Sequence, residues 1–192
     1  MQGIGCDNIG VPSELRLGFV CVRTDERDAI LFHMLQNVLA DVQKKKTLIF
    51  VATRYHVECI TCMLRHYLKY NVEMAHGTLD QQARKESLDE FRKGKANTFV
   101  RTDIAARGMD TPELDYVTHY HFPSTSKLFM HRSGRVGRTM GRIGYALAML
   151  TREDVPYLMD LQVVLGRKVF TTMIKKDHAN YKTLKKKMCI LH

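Results

Sequence analysis

Residues 47–69, TLIFVATRYHVECITCMLRHYLK, join a short apolar run to a longer helical pattern. Thr47 to Ala52 is almost continuously apolar, which is typical of a strand that is buried on both faces of a parallel sheet. Residues 54–69 are interpreted as the helix that follows this strand. A strand followed by a helix is the repeating unit of parallel sheets that carry helices on both faces.

The same unit recurs on both sides of this stretch. Further strands are predicted at residues 17–22, 72–75, 98–101, 116–121 and 144–150. The other predicted helices are residues 26–40, 80–93, 124–133 and 153–165. Asp80 is placed to cap one of them, and Gly94 to end it in the left-handed conformation. The pattern predicts a single α/β domain with a doubly wound, mainly parallel sheet and helices on both faces.

Length and charge set the broad class of this protein. The 192 residues, 45% of them hydrophobic, are enough for one full core. The formal net charge of +10 favours an anionic partner. Residues 166–192 carry eight Lys or Arg against one acid. This basic stretch is either a solvated tail or an arm that binds nucleic acid. We predict a tail or linker end at 1–13, the domain at 14–166 and a basic extension at 167–192.

The five cysteines form an odd set, which favours reduced thiols in the cytosol or nucleus over a disulfide framework. The sequence shows neither an apolar run of about 18 residues nor a charged and apolar leader. We therefore expect a soluble intracellular protein with no membrane partner.

Polar residues follow two of the predicted strands at the point where each strand ends. Residues 76–84 read HGTLDQQAR and residues 102–110 read TDIAARGMD. Ligands of doubly wound sheets bind at the carboxyl ends of the strands. Small, hydroxyl, amide and guanidinium groups are therefore expected at one edge of the sheet.

Residues 131–142 carry a cluster of arginines with no acid among them: Arg132, Arg135, Arg138 and Arg142. Arg135 and Arg138 are three residues apart, so both can reach one phosphate from the same face of a helical turn. Gly134 and Gly137 leave room for another backbone or a nucleotide to approach closely. The alternative is a basic helix end on the surface whose glycines are caps.

These residues carry a resemblance to a known family. Residues 131–138, HRSGRVGR, resemble motif VI of the DEAD-box helicases, and residues 102–110 resemble motif V. Residues 48–53 resemble motif IV, and His76-Gly77 with Gln81 and Arg84 resemble motif IVa. Four motifs in the family's order cover about residues 15–165. The resemblance implies a RecA-like fold and the C-terminal RecA-like (helicase C) domain of an ATP-dependent RNA helicase.

The resemblance also implies roles for single residues. Arg135 and Arg138 correspond to arginine fingers that reach the γ-phosphate of ATP, and Asp110 corresponds to a contact with the ribose. The residues that correspond to the path of the RNA backbone are Gly77, Gln81, Arg84, Thr102, Arg107 and Gly108. Arginines in such places neutralise phosphate charge without reading bases. Asp103 is expected to cap a helix or to hold an arginine. His131 is expected to form a hydrogen bond between motifs and not to act as an acid or base.

Two motifs of the complete enzymes are missing from this sequence. It contains no Gly-x4-Gly-Lys-Ser/Thr phosphate loop and no Asp-Glu-Ala-Asp box. In the family both lie on the N-terminal RecA-like domain, which therefore becomes the expected partner and holds most of the contacts to ATP and Mg²⁺. We expect this chain alone to be monomeric and inactive, with RNA as its other partner.

Three positions depart from the family pattern. Arg101 stands where a small or apolar residue is usual, so it either reaches RNA from the end of the sheet or disturbs the motif. His121 stands where many members have Asp, and the segment after Arg138 is one residue longer. Residues 127–130, 156–161 and 165–167 resemble the nucleolar branch that acts in ribosome biogenesis, which implies a nuclear, nucleolar location; the cytoplasm is the alternative.

Three rival interpretations stay open at this point. His56, Cys59, Cys62 and His66 are all able to bind a metal, but along one straight helix they span about 15 Å, too far for one zinc ion. We predict no metal site here or at His119 and His121. A non-catalytic RNA-binding module of the same fold is the second interpretation, and a helicase that acts on DNA is the third.

Overall fold

A computed structural model describes residues 14–39, 42–106, 111–137, 141–166, 168–169 and 171–173. Its strands are β1 (Leu15–Cys21), β2 (Thr47–Phe50), β3 (Val72–Ala75), β4 (Thr98–Arg101), β5 (Tyr116–His119), β6 (Gly144–Leu150) and β7 (Thr172–Met173). Its α-helices are α1 (Arg27–His33), α2 (Arg54–Tyr67), α3 (Gln81–Arg92), α4 (Asp103–Ala106), α5 (Ser126–Ser133) and α6 (Val155–Leu165). The predicted strand–helix alternation is confirmed.

The strands form one sheet in the order β3-β4-β2-β5-β6-β1-β7, and every pairing between them is parallel. β2 lies in the middle between β4 and β5, and all four of its residues are buried. This central position is the reason for its continuous apolar sequence. β7 pairs with β1 and lies within the predicted basic extension, so the sheet continues beyond residue 166.

Helices cover both faces of the sheet, as predicted. Strand residues alternate between two apolar clusters because successive side chains of a strand point to opposite faces. Phe50 belongs to the cluster covered by α3, α5 and α6, whereas Ile49 belongs to the cluster covered by α1 and α2. The motifs at the strand ends therefore rest on a core that is closed on both sides.

Local capping explains where three of the helices begin. The side chains of Thr53, Asp80 and Thr125 accept hydrogen bonds from backbone N–H groups in the first turns of α2, α3 and α5, respectively. Gly94 follows α3 with a φ of 78°, in the left-handed region. Both predictions for the ends of α3, the Asp80 cap and the Gly94 terminator, are confirmed.

The predicted helix at residues 26–40 is less regular in the structure. A 3-10 turn at Thr24–Glu26 leads into α1, and a π-helical turn at Met34–Val38 follows it. The Asn37 amide donates to the His33 carbonyl, so the side chain competes for an acceptor that a continuing α-helix would use. The Leu39 N–H instead reaches back five residues to Met34. The sequence pattern did not reveal this widened turn.

No helix among the described residues could cross a membrane. None of the helices in the described ranges combines the length and the apolar character that crossing a bilayer requires.

Candidate phosphate and nucleic-acid site

The last turn of α5 is tied to the carboxyl ends of two strands. Arg132 donates from Nε and Nη2 to the two carboxylate oxygens of Asp103 at 2.8 and 2.5 Å, just after β4. Its Nη1 donates to the His121 carbonyl at 3.2 Å, just after β5. The Arg132 side chain is only 5% exposed. Of the two roles expected for Asp103, holding an arginine is therefore confirmed.

A second buried contact holds the same turn. The His119 Nε2 lies 3.0 Å from the Ser133 Oγ, and the imidazole stacks on the rings of Phe50 and Phe129. Burial, followed by the nearby charge of Arg132, lowers the pKa of His119 well below its usual value. The imidazole is therefore neutral at physiological pH. Sequence reasoning missed His119 and Ser133 as partners, because only the fold brings these residues together.

Arg135 lies at the end of α5 and is partly exposed. Its Nη2 approaches the His131 Nε2 at 2.5 Å, and since a guanidinium only donates, His131 accepts here in its neutral form. Arg135 belongs to the same motif as His131, so the hydrogen bond between motifs that was expected of His131 stays a prediction. Arg138, the second predicted finger, lies outside the described residues, as do residues 139 and 140 of the longer segment that follows it.

Gly134 and Gly137 differ in what a side chain at each position would meet. A Cβ on Gly134 would lie 3.1 Å from the Met130 carbonyl oxygen of the same helix. Gly137 has a φ of 67°, and a Cβ there would lie 3.3 Å from the backbone of Glu14. At Gly137, close approach of another backbone, one of the two expected possibilities, is therefore confirmed: the approaching backbone is that of Glu14, just before β1.

Arg142 was counted with the arginine cluster, but the structure gives it separate partners. Its guanidinium donates to Asp115 at 2.7 Å and to Glu113 at 3.3 Å, at the amino end of β5. The hydrogen bond to Asp115 raises the pKa of Arg142 further. The absence of acids within residues 131–142 was misleading, because the partners of Arg132 and Arg142 come from elsewhere in the chain.

Arg101, the first departure from the family pattern, ends β4 with a side chain that is 1% exposed. Its guanidinium carbon lies 5.0 Å from the centre of the Phe50 ring, and that of Arg132 lies 4.9 Å from the same centre. Arg101 Nε and Nη1 have no hydrogen-bond partner within the described ranges. Burial, then the charge of Arg135, lowers the pKa of Arg101 to about 10.

We call Arg101, Asp103, Arg132 and Arg135 the arginine site. It holds three guanidinium groups and one carboxylate, and that carboxylate is already engaged by Arg132. Such an excess of positive charge suits a phosphate oxyanion, which accepts charge-assisted hydrogen bonds. It does not suit a metal ion.

His121, the second departure, is anchored by the backbone. Its Nδ1 accepts from the Ala52 N–H at 3.1 Å, and its ring meets that of His56 edge-on with centres 4.4 Å apart. Burial, followed by the charge of Arg27, lowers the pKa of His121 to about 3. The neutral ring therefore keeps its one proton on Nε2, so it acts as a donor where an Asp would act as an acceptor.

The other predicted residues lie around the ends of β3 and β4, which we call the β3–α3 corner: His76, Gly77, Gln81, Arg84 and Thr102. The Thr102 N–H donates to the Ala75 carbonyl at 3.3 Å, so the two strand ends are adjacent. Gly77 and Gln81 are exposed and Arg84 is partly exposed, whereas Thr102 is only 6% exposed. A Cβ on Gly77 would lie 3.3 Å from the Ile104 side chain. Arg107, Gly108 and Asp110 lie outside the described residues.

The side chains considered for a metal lie along α2, where Cys59 and Cys62 are exposed free thiols. No group of three or more His, Cys, Asp or Glu able to hold a metal ion occurs in the part of the chain that the structure describes.

Residues 30–140 match the helicase conserved C-terminal domain. The chain belongs to this family. The matched residues run from α1 through the arginine-rich segment after α5, and they lie inside the predicted domain.

The relatives of this helicase C-terminal domain are DEAD-box RNA helicases. The ATP-dependent RNA helicase DDX54 of Mus musculus is 44% identical over 158 residues, which are 81% of this chain and 17% of the relative. The ATP-dependent RNA helicase DBP10 of Coccidioides immitis is 45% identical over 135 residues, which are 70% of this chain and 14% of the relative. The chain thus spans about a sixth of the length of these relatives.

Solved structures share the fold. The C-terminal domain of the DEAD-box protein Dbp5 superimposes with a TM-score of 0.74 at 25% identity, covering 88% of this chain and 95% of that one. A DEAD-box protein from Methanococcus jannaschii gives a TM-score of 0.73 at 27% identity, covering 85% of this chain and 42% of that one. The RecA-like fold implied by the motifs is confirmed.

Proposed function

We propose that this chain is the C-terminal half of an ATP-dependent DEAD-box RNA helicase that supplies arginine fingers to ATP and part of the surface that binds the RNA backbone. The observation that carries the proposal is the double anchoring of α5, by Arg132 to Asp103 and by His119 to Ser133. These contacts hold Arg135 at the carboxyl edge of the sheet, where ligands of such sheets bind.

The arginines would act on the phosphate chain of ATP. Hydrolysis of ATP supplies the free energy that drives the conformational cycle of such enzymes. Arg135 and Arg138 would stabilise the negative charge that develops on the γ-phosphate. Arg132 and Asp103 keep the α5 turn in place, and His131 orients Arg135. The role of Asp110 as a contact to the ribose rests on the resemblance alone.

The N-terminal RecA-like domain of the same protein is the partner that this function requires. It would hold the phosphate loop, ATP and most of the Mg²⁺ contacts, and closure of the two domains would bring the arginine site to the nucleotide. The charge of the arginine site fits the phosphates of ATP. The described residues contribute no evident ligand set for Mg²⁺.

The β3–α3 corner would carry the RNA backbone. Gly77, Gln81, Arg84 and Thr102 stand at adjacent strand ends, and Arg107 and Gly108 follow in the sequence. A partly exposed arginine and an exposed glycine amide suit phosphate oxygens, and neither group reads a base. RNA binding would therefore be independent of sequence.

ATP hydrolysis by the full-length protein tests the fingers directly. Arg135→Ala and Arg138→Ala are each expected to lower RNA-stimulated ATP hydrolysis by roughly 10³-fold or more, while RNA binding survives. Arg92→Ala is the matched control, because Arg92 is an exposed arginine at the far end of α3 that pairs with Asp89. Hydrolysis that is unchanged in both finger variants would favour the non-catalytic RNA-binding module.

The isolated 192-residue chain offers a second test. We expect it to be monomeric and to hydrolyse no ATP, with or without RNA. A fragment that hydrolyses ATP at the RNA-stimulated rate of a complete enzyme would contradict the proposal that hydrolysis requires both halves.

Competition between matched RNA and DNA strands separates an RNA helicase from one that acts on DNA.

We also propose a nuclear, nucleolar location and a role in ribosome biogenesis. The support is the sequence resemblance at residues 127–130, 156–161 and 165–167. A fluorescent fusion of the full-length protein should concentrate in the nucleolus, and depletion of the protein should lower the level of mature ribosomal RNA. A purely cytoplasmic signal would contradict the proposed location.

A further inference from the structure

Arg101 is a buried cation that the proposed mechanism does not use. Its side chain is 1% exposed and packs on Phe50, and two of its three guanidinium nitrogens have no hydrogen-bond partner among the described residues. Burial lowers the pKa of Arg101 to about 10, which still leaves the group charged at pH 7. An ordinary core position does not require such a group.

The carboxylate of Asp103 compensates the charge of Arg101 only in part, because burial and the positive charge of Arg135 outweigh its attraction. Both oxygens of Asp103 already accept hydrogen bonds from Arg132. A buried charge without a partner destabilises the folded state, and an apolar side chain of similar length usually removes that cost. An apolar residue at position 101 would also keep the packing on Phe50. The charge therefore lowers the stability of the domain, and its attraction to the Phe50 ring offsets only part of that cost.

The position of Arg101 indicates where the charge is useful. Its guanidinium carbon and that of Arg132 each lie about 5 Å from the centre of one phenyl ring, so they are no more than about 10 Å apart. Arg135 is close enough to depress the pKa of Arg101 through its own charge. The field of Arg101 therefore acts on the same place that Arg132 and Arg135 border.

We propose that Arg101 is a positioning residue for anions: its buried charge raises the affinity of the arginine site for a nucleotide-type phosphate, at the expense of folding stability. The proposal rests on the proposed function. Arg101 does not touch the ligand but acts across the protein interior. A unit charge at about 10 Å, in an effective dielectric of about 20, changes the affinity for an anion roughly tenfold.

Opposite effects on stability and on affinity distinguish this role from a structural one. The probe is pyrophosphate, titrated into the ¹⁵N-labelled 192-residue chain at constant ionic strength. Arg101→Met should weaken pyrophosphate binding roughly tenfold and raise Tm by at least about 3 °C, because it removes an unpaired buried charge. Arg101→Lys should restore the affinity to within about twofold. Arg92→Met, an exposed control, should change neither quantity.

Several outcomes would overturn the proposal. A lower pyrophosphate affinity together with a lower Tm in Arg101→Met would show a structural role. An unchanged affinity would show that the charge of Arg101 does not act on the ligand. If Arg101→Met weakens the binding of a short oligouridylate and leaves that of pyrophosphate unchanged, the charge of Arg101 acts on RNA and not on the nucleotide.

Arg135→Ala separates this inference from the proposed function. If Arg135→Ala abolishes pyrophosphate binding and Arg101→Met does not weaken it, only the role of Arg101 fails. If Arg135→Ala leaves pyrophosphate binding unchanged, the phosphate site itself is wrong.

Discussion

The arginine site and the β3–α3 corner stand side by side at the carboxyl edge of one sheet, yet they are built differently. The arginine site contains two buried arginines, Arg101 and Arg132, and Arg132 is held by the carboxylate of Asp103, 29 positions away. The corner exposes Gly77 and Gln81. The side-chain hydrogen bonds within its loop and the first turn of α3 span two to four positions, such as that from the Ala83 N–H to Asp80.

The difference matches what each region is proposed to do. Charge stabilisation in phosphoryl transfer requires groups that are fixed before the ligand arrives, in surroundings with little water. A sequence-independent RNA contact requires accessible cations, and precise placement matters less. Substitutions in the arginine site should therefore change folding stability, whereas substitutions in the corner should change RNA affinity with little effect on folding.

The largest effect on stability is expected when Asp103 loses its charge. Asp103→Asn leaves the buried guanidinium of Arg132 without its carboxylate, which should lower the free energy of unfolding by about 2–3 kcal/mol, given that Asp103 itself is 37% exposed. Urea denaturation of the 192-residue chain measures this change. Asp89→Asn, which breaks the exposed pair with Arg92, is the matched control and should cost less than about 0.5 kcal/mol. Equal losses in the two variants would remove the contrast between the regions.

A fall in pH should have the second largest effect on stability. The pKa of His119 is lowered in the folded state, so below the unfolded pKa of about 6.5 the unfolded chain binds a proton that the folded chain does not. The contribution of the neutral His119 to the free energy of unfolding is therefore fully present above about pH 7 and is lost as the pH decreases. Through His119 alone, the free energy of unfolding should fall by about 2 kcal/mol between pH 7.5 and pH 5.

Unfolding free energies across this pH range test the assignment to His119. His119→Gln should flatten the pH dependence by about one proton, whereas His66→Gln, at an exposed histidine, should leave it unchanged. Identical pH slopes in the wild type and in His119→Gln would rule out a buried neutral imidazole as the source.

The cap of α3 should have a smaller effect. Asp80→Ala removes the acceptor for the Ala83 N–H and should lower the free energy of unfolding by about 1 kcal/mol. Asp80→Ser keeps a capping oxygen, so its loss should be much smaller. A stability loss as large as that of Asp103→Asn would mean that the corner is as interlocked as the arginine site.

Arg84→Ala should have the smallest effect on folding. We expect less than about 0.5 kcal/mol in the free energy of unfolding. The salt dependence of single-stranded RNA binding should lose about 0.7 in its logarithmic slope, the value for one phosphate contact. Arg92→Ala, on the same helix, should leave that slope unchanged. A slope that is unchanged in Arg84→Ala would remove Arg84 from the proposed RNA surface.

Predictions from the sequence were most accurate where one local pattern decides the outcome. The apolar runs at 72–75, 98–101 and 144–150 became strands with the predicted bounds. The predictions were least accurate where a side chain competes with the backbone, as Asn37 does in the π-helical turn. The short helix α4 was also missed, because four residues carry too little periodicity to be recognised.

The sequence by itself determined the parallel α/β fold, the family and the group of residues at the carboxyl edge of the sheet, because strand periodicity, caps and motif spacing are local properties of the chain. Tertiary structure decided which charges are compensated. Arg132 and Arg142 find carboxylates 27 to 29 residues away, whereas no described hydrogen-bond partner reaches Arg101 Nε or Nη1. The energy of a charge depends on burial and on its neighbours in space, so the sequence alone did not distinguish these arginines.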